Sequence, residues 1–305
     1  MEYCIGIITV RDSDYHPNGR LLTAASQAGH RGMLIHPYRT WPLVENGGFG
    51  LTGEAAAWLP DVVLPRQGAQ IGDACLALIR QYERLGVPLV NGAAAVSITR
   101  DQFLTLQALS AAGIACPDTV FINDAAGFFD AVARLGGYPV VAKTPNGRQG
   151  KGVLRLTDAD DARQRVLPHL DRVRGLLVQR YLPPEGRQDY RALVIGGAVA
   201  ATARLTPPPG DFRANFYLGR DIRACRLDPA LAAIAVAAAA AAACDVAGVD
   251  MMVTADGRCL VVEVNHAPGF RGLEGATGLD IAARIVRYAI GRADKRSSIT
   301  EGSGT

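Results

Sequence analysis

No Cys-x-x-Cys pair occurs among the six cysteines, which are scattered at Cys4, Cys75, Cys116, Cys225, Cys244 and Cys259. That scatter argues against a cysteine-based metal site and fits reduced thiols in a cytoplasmic protein. Runs of like charge are short, and 32 basic side chains stand against 29 acidic ones, for a net charge of +3. This balance argues against nucleic acid or a membrane surface as the main partner. The longest uncharged stretch towards the C-terminus, Pro229 to Cys244, is mostly alanine and falls short of the roughly 18 to 20 residues that span a bilayer. It reads as a buried helix, because alanine is the best helix former. Met1 to Val10 has no basic segment before its apolar run and reads as a strand rather than a secretion signal. Lysine is the scarcest charge: three (Lys143, Lys151 and Lys295) against 29 arginines. Two of the three fall in one Gly-rich stretch. Compositional drift accounts for arginine elsewhere, so the places where lysine survives ask for a chemical reason.

A chain of 305 residues, 49% apolar, has room for two or three domains with real cores. Strand and helix alternate through Ile5–Val10, Arg20–Ala28, Gly32–His36, Asp61–Leu64, Asp73–Leu85 and Val87–Asn91. This predicts a small parallel-sheet α/β domain over residues 1–92. Within it, Trp41 to Pro60 is Gly-rich and shows no assignable element. A second unit, 93–176, carries helices Asp101–Ala112, Ala125–Leu135 and Ala159–Leu170, with strands Pro139–Thr144 and Gly152–Leu156 on either side of a glycine loop. A third, 177–291, begins in the strand Leu176–Tyr181 and turns antiparallel through Tyr190–Ile195 and Val199–Leu205 before the alanine helix. Residues 292–305 read as a disordered tail.

The chemistry concentrates in the second half. In the hairpin from Gly248 to Asn265, Asp256-Gly257 suits a two-residue type I′ turn. That turn sets Ala255 opposite Arg258 and Asp250 opposite Glu263, and strand alternation puts Asn265 on the face of Glu263. Like charges directly opposed in a sheet are destabilising, so the pair asks for a cation. Two carboxylates and an amide oxygen suit Mg²⁺ that keeps water and phosphate oxygens as further ligands. Taken alone, the same residues also suit solvated carboxylates on an outer face. Lys143 ends a buried strand and needs a partner there. A phosphate serves, and glycines at 147, 150 and 152 would let backbone N–H groups wrap its oxygens, although a plain flexible loop has the same composition. The P-loop order is absent. Asp189, Arg191, Arg204, Arg213 and Asn215 form a third polar set, with arginines on β runs that match phosphate or carboxylate oxygens.

Together these motifs resemble ATP-grasp ligases, and among them the RimK-type α-L-glutamate ligases. The resemblance spans about Val87 to Ala283. Its motifs fall in order: Asn91, Arg100-Asp101, Val141-Ala142-Lys143, Gln149-Gly150-Lys151-Gly152-Val153, Val178-Gln179-Arg180-Tyr181, Asp189-Tyr190-Arg191, Gly210 to Asn215, Ala247 to Asp250, Glu263-Val264-Asn265, Pro268-Gly269 and Gly275 to Gly278. The resemblance implies an ATP-grasp fold of mixed α/β and α+β character behind a Rossmann-like pre-ATP-grasp domain. It implies that Lys143, Gln149, Gly150, Lys151 and Gly152 hold ATP phosphates, and that Gln179, Arg180, Tyr181 and Leu182 bind adenine through the main chain. Asp189 would contact the ribose, and Asp250, Glu263 and Asn265 would hold Mg²⁺ or Mn²⁺. Arg213 would face the transferring phosphoryl group, while Arg191 and Asn215 would face the acyl phosphate or a substrate carboxylate. The implied protein is a cytoplasmic homo-oligomer that joins an amino acid, L-glutamate in this family, to a carboxylate acceptor that no motif identifies. A ligase of another amino acid, a small-peptide synthetase and an ATP-binding regulatory module with weakened turnover stay open.

Four residues depart from the family pattern. Gln102 stands where a phosphate-reaching lysine commonly follows Arg-Asp, which favours the regulatory alternative. Arg180 replaces a hinge glutamate. His266-Ala267 replaces small hydroxyl residues, with His266 expected as a structural or pocket-lining side chain.

Overall fold

The apolar run near the N-terminus forms β1 (Cys4–Ile8), and the chain returns through α1 (His16–Gln27) to β2 (Arg31–Ile35). After a hairpin of β3 (Thr40–Glu45) and β4 (Gly48–Gly53) come β5 (Val62–Pro65) and α2 (Asp73–Arg84). β2, β1 and β5 make a parallel sheet in the order β2-β1-β5, as expected of the first unit. Val87 to Asn91 adds only a single parallel bridge, Val63 to Leu89. The computed structural model describes residues 1–67, 71–147, 152–207, 211–212 and 222–302, with side chains as far as residue 294.

The β3–β4 hairpin fills the stretch for which the sequence suggested no element. Its signal is Asn46-Gly47, both at positive φ (49° and 76°), the pair that a type I′ turn requires. Gln81 of α2 docks it, donating to the carbonyls of Leu43 and Gly50 at 2.7 and 2.6 Å.

Two short helices, α3 (Ala93–Thr99) and α4 (Gln102–Ala111), lead into the second unit. The Asp101 side chain caps α4 by accepting from the N–H groups of Phe103 and Leu104. β6 (Thr119–Ile122), α5 (Ala125–Arg134), β7 (Val140–Lys143), β8 (Leu154–Leu156) and α6 (Ala159–Arg165) follow, then a 3₁₀ turn and β9 (Leu176–Arg180). Their sheet runs β6-β9-β7-β8. β9, placed by sequence at the head of the third unit, thus pairs with β6 and β7, and the chain leaves this sheet only after Arg180.

The last sheet has the order β12-β11-β10-β13-β14, built from β10 (Gln188–Ile195), β11 (Ala198–Leu205), β12 (Ile222–Ala224), β13 (Val246–Val253) and β14 (Cys259–Asn265). α7 (Pro229–Ala241), the alanine helix, packs on it with Ala235, Ala238 and Ala239 buried. Small side chains let its backbone lie close to the sheet. α8 (Arg271–Thr277) and α9 (Ile281–Gly302) close the chain. The tail expected to be disordered from Arg292 instead continues α9 as far as Gly302, where the described residues end. Ala293 extends the buried stripe Ile281, Ile285, Val286 and Ala289, and Tyr3 donates a hydrogen bond to Asp294. Helix periodicity carried into the tail, which its Ser- and Gly-rich end obscures. This stripe shares one core with Ile5, Ile7, Val62 and Leu64 of the N-terminal sheet. Among the described residues no helix is long and apolar enough to cross a membrane.

Candidate active site

One cavity of about 520 Å³ lies where the three sheets meet. Lys143, Gln179, Arg180, Leu182, Asp189, Arg191, Asp250, Glu263 and Asn265 all line it. Gly152, at φ 75°, and Tyr181 do not; Tyr181 lies under Arg155 at 4.6 Å and edge-on to Phe212. Gln149, Gly150, Lys151, Arg213 and Asn215 lie outside the described residues.

Lys143 closes β7 with its ammonium almost entirely buried. Its Nζ donates to Gln179 Oε1 at 2.9 Å, and Gln179 Nε2 donates to Thr119 Oγ1 at 2.8 Å. Burial pulls the Lys143 pKa down to about 8, with Glu263 opposing. The ammonium is thus held by a neutral amide oxygen.

The β13–β14 hairpin puts Asp250 opposite Glu263, as the sequence predicts, but by a different route. The tip is not a two-residue turn: Gly257 alone among its residues takes positive φ (83°), and Thr254 N–H bonds the Arg258 carbonyl at 2.9 Å. Three residues lie between that pair, the arrangement that places glycine in the left-handed position. The extra residue shifts the ladder by one, pairing Met251 with Val261. A bulge at Val262 then shifts it back, so Asp250 meets Glu263 after two slips that cancel.

The cation facing Asp250 here is Arg191. Its Nη2 donates to Asp250 Oδ2 at 2.6 Å and its Nε to the other oxygen, from a register position directly across β10 and β13. Glu263 lines the cavity. Desolvation and the neighbouring Asp250 push its carboxyl pKa up, opposed by Arg191, the Asn265 amide and Lys143. A half-buried carboxylate beside a second one, with an amide oxygen on its face, is a hard-donor set that fits Mg²⁺. Among the described residues no three His, Cys, Asp or Glu side chains gather to hold a metal, so such an ion would draw its remaining ligands from water or substrate oxygens.

Sequence reasoning missed Arg187. Its side chain is buried, pairs with Asp189 at 3.0 Å, and donates to the carbonyls of Leu182 (2.6 Å) and Phe212 (2.7 Å). It thus joins the strand end expected to hold adenine to the residue expected at the ribose. Also missed was the cavity wall from the N-terminal domain, Val10, Arg11, Tyr15, Arg66 and Gln67. The available signal was position, since Val10-Arg11 and Arg66-Gln67 lie just beyond the carboxyl ends of adjacent parallel strands. Gln102 does face the cavity, its Nε2 3.4 Å from the Val262 carbonyl. His266 is structural: buried, with Nε2 bonding the Gln67 carbonyl at 2.8 Å and Nδ1 meeting Thr99 Oγ1 at 2.7 Å. Desolvation lowers its pKa to about 4.

Residues 4–96 match the RimK PreATP-grasp domain and residues 99–289 the RimK-like ATP-grasp domain. The chain belongs to the RimK-like ATP-grasp family. This RimK-like protein is 34% identical over 304 residues to a protein of Thioalkalivibrio sulfidiphilus named "Probable alpha-L-glutamate ligase", covering 97% of this chain and 99% of that one. The crystal structure of a RimK domain ATP-grasp protein from Sphaerobacter thermophilus superposes with a TM-score of 0.72 at 26% identity, over 94% of this chain and all of that one. D-alanine–D-alanine ligase from Bacillus anthracis, solved with ATP, has a TM-score of 0.70 at 20% identity over 97% and 99% of the two chains, a likeness of fold.

Proposed function

We propose that this RimK-like protein is an ATP-dependent carboxylate–amine ligase that adds L-glutamate to a carboxylate acceptor. The observation that carries the reading is the convergence of Lys143, Arg191 and the Asp250–Glu263–Asn265 face on one cavity. Relatives named as α-L-glutamate ligases support glutamate as the amine.

The acceptor carboxylate attacks the γ-phosphorus of ATP, ADP leaves, and an acyl phosphate forms. The glutamate amine then attacks the acyl carbon, releasing phosphate and a proton to give an amide. Protein groups mainly position reactants and neutralise charge in such transfers. Lys143 holds ATP phosphates, and a bound phosphate keeps its ammonium charged. Gln179, Arg180 and Leu182 border the base, and Asp189, set by Arg187, meets the ribose. Asp250, Glu263 and Asn265 would hold Mg²⁺, which would supply charge neutralisation to the phosphates; Mn²⁺ would suit the same oxygen donors. Arg191, released from Asp250, would meet the acyl phosphate or a substrate carboxylate, a role expected also of Asn215, while Arg213 is expected to face the transferring phosphoryl group.

Gln102 facing the cavity favours a second reading, a nucleotide-binding regulator without turnover. Incubation with MgATP, L-glutamate and a panel of carboxylates, following ADP and amide product, separates the two. Tight nucleotide binding with no carboxylate-stimulated ADP release would refute the ligase reading.

A further inference from the structure

Asn265 sits where its sheet does least to hold it. β14 is an edge strand, paired within the sheet by β13 alone, and that ladder ends with Asn265 opposite Gly248. A glycine offers no side chain for cross-strand support. Yet the Asn265 amide bonds the Glu263 carboxylate, and a group that is to hold a cation has to be fixed to within roughly 0.5 Å. The next residue supplies what the ladder does not.

His266 is buried and tied at three points. Its Nε2 bonds the Gln67 carbonyl at 2.8 Å, its Nδ1 meets Thr99 Oγ1 at 2.7 Å, and its own carbonyl accepts from Asn91 Nδ2 at 2.7 Å. A carbonyl can only accept, so the ring hydrogen belongs on Nε2, and Nδ1 accepts from the Thr99 hydroxyl. The three partners come from different parts of the chain. Gln67 follows β5, Thr99 ends α3, and Asn91 is fixed to the start of β13 by two further bonds to Val246. Gln67 is held in turn, its Oε1 accepting from the Val10 N–H at 3.3 Å. Position 266 is also one where this chain leaves the family pattern. A small hydroxyl, with one polar atom close to the backbone, does not bridge partners that lie on opposite sides of an imidazole ring.

We propose that His266 is a positioning residue for the metal site: by fixing the backbone that carries Asn265, it sets the amide oxygen against Asp250 and Glu263. The proposal rests on the reading that these three residues hold Mg²⁺. Groups that orient metal ligands from behind change metal affinity by about ten- to a hundredfold when removed. A side chain that only fills space changes stability and leaves that affinity alone.

Mn²⁺ titrated into the ADP-loaded protein and followed by electron paramagnetic resonance tests it. His266→Phe keeps a ring and removes both nitrogens; it should weaken Mn²⁺ binding about tenfold or more, with affinity for ADP in metal-free buffer unchanged. His266→Gln, which keeps one donor, should recover part of the loss, and Thr99→Val, which removes only the hydroxyl, should show a smaller loss. In turnover, the Mg²⁺ concentration for half-maximal rate should rise with the loss of affinity, while kcat at saturating Mg²⁺ recovers. A lowered Tm with Mn²⁺ affinity intact in His266→Phe overturns the proposal and leaves His266 a packing residue. Should that variant not fold, Thr99→Val decides, and unchanged affinity there overturns the proposal equally. Equal Mn²⁺ affinity in the native protein and Glu263→Gln would refute the metal reading and the brace with it. Affinity that depends on Glu263 but on neither His266 nor Thr99 refutes the brace alone.

Discussion

Replacing Lys143 with methionine should stabilise the protein while abolishing nucleotide binding. The fall of the Lys143 pKa from 10.5 to about 8 corresponds to roughly 3 kcal/mol of burial cost carried by the charged form at neutral pH. Methionine removes that cost and keeps most of the side-chain volume. Against it, Gln179 Oε1 loses its 2.9 Å donor, a penalty of about 1 to 2 kcal/mol. The net gain is on the order of 1 to 2 kcal/mol, or a rise in Tm of about 3 °C. The same shift sets two pH dependences of opposite sign in the native protein. Below pH 8 the folded state carries the whole burial cost, and stability relative to Lys143→Met should rise as pH climbs from about 8 towards 10.5. MgATP needs the charged form, so its affinity should fall about tenfold between pH 7 and pH 9. Differential scanning calorimetry of both proteins across that range, with calorimetric MgATP titrations at each pH, reads all three effects. A destabilised variant that still binds MgATP, or a wild-type affinity flat from pH 7 to 9, would refute the reasoning.

Glu263→Gln should leave Tm unchanged or higher, because the carboxyl is already disfavoured in its charged form. Turnover should fall at least about a hundredfold, and Mn²⁺ affinity, read by electron paramagnetic resonance, should fall with it; ordinary turnover would remove Glu263 from the site. Asn91→Ala strips three buried bonds, to the carbonyls of Val246 and His266 at 2.7 Å and from the Val246 N–H at 2.8 Å. Urea denaturation should show a loss of about 3 kcal/mol or more, and a change under 1 kcal/mol would contradict that accounting. Gln102→Lys supplies the phosphate-reaching charge that this chain lacks and should tighten MgATP severalfold in low salt, an effect that fades as salt is added. Unchanged affinity would mean that position 102 does not reach the phosphates.

Most of the architecture was legible because periodicity reports what faces a core. β1, β5, β7 and β9 are nearly continuous apolar runs, and α2 and α5 carry one apolar face each. The Asp250–Glu263 opposition was read correctly for a partly wrong reason. Alternation and a turn dipeptide determine a register only to within an even number of slips, and the hairpin contains two. The β3–β4 hairpin went unassigned although Asn46-Gly47 announced its turn, because its glycines blur the strand pattern around it. Arg187 could not be picked from 29 arginines, since its importance lies in carbonyls supplied by residues 5 before and 25 after it. The N-terminal wall was invisible for a related reason: strand ends distant in sequence come together only once sheet order is known. Where the chain strays from family pattern, position alone proved informative, with Gln102 in the cavity and His266 outside it as a brace.

The core that joins β1 and β5 to α9 also orders events during synthesis. The N-terminal sheet leaves the ribosome well before the helix that covers its apolar face, from Ile281 to Ala293. Until then Ile5, Ile7, Val62 and Leu64 lack part of their cover, so the first domain is completed only after the ATP-grasp unit that follows it has been made. A ribosome stalled before Ile281 would therefore hold a nascent chain with an incomplete first domain, a natural client for a chaperone.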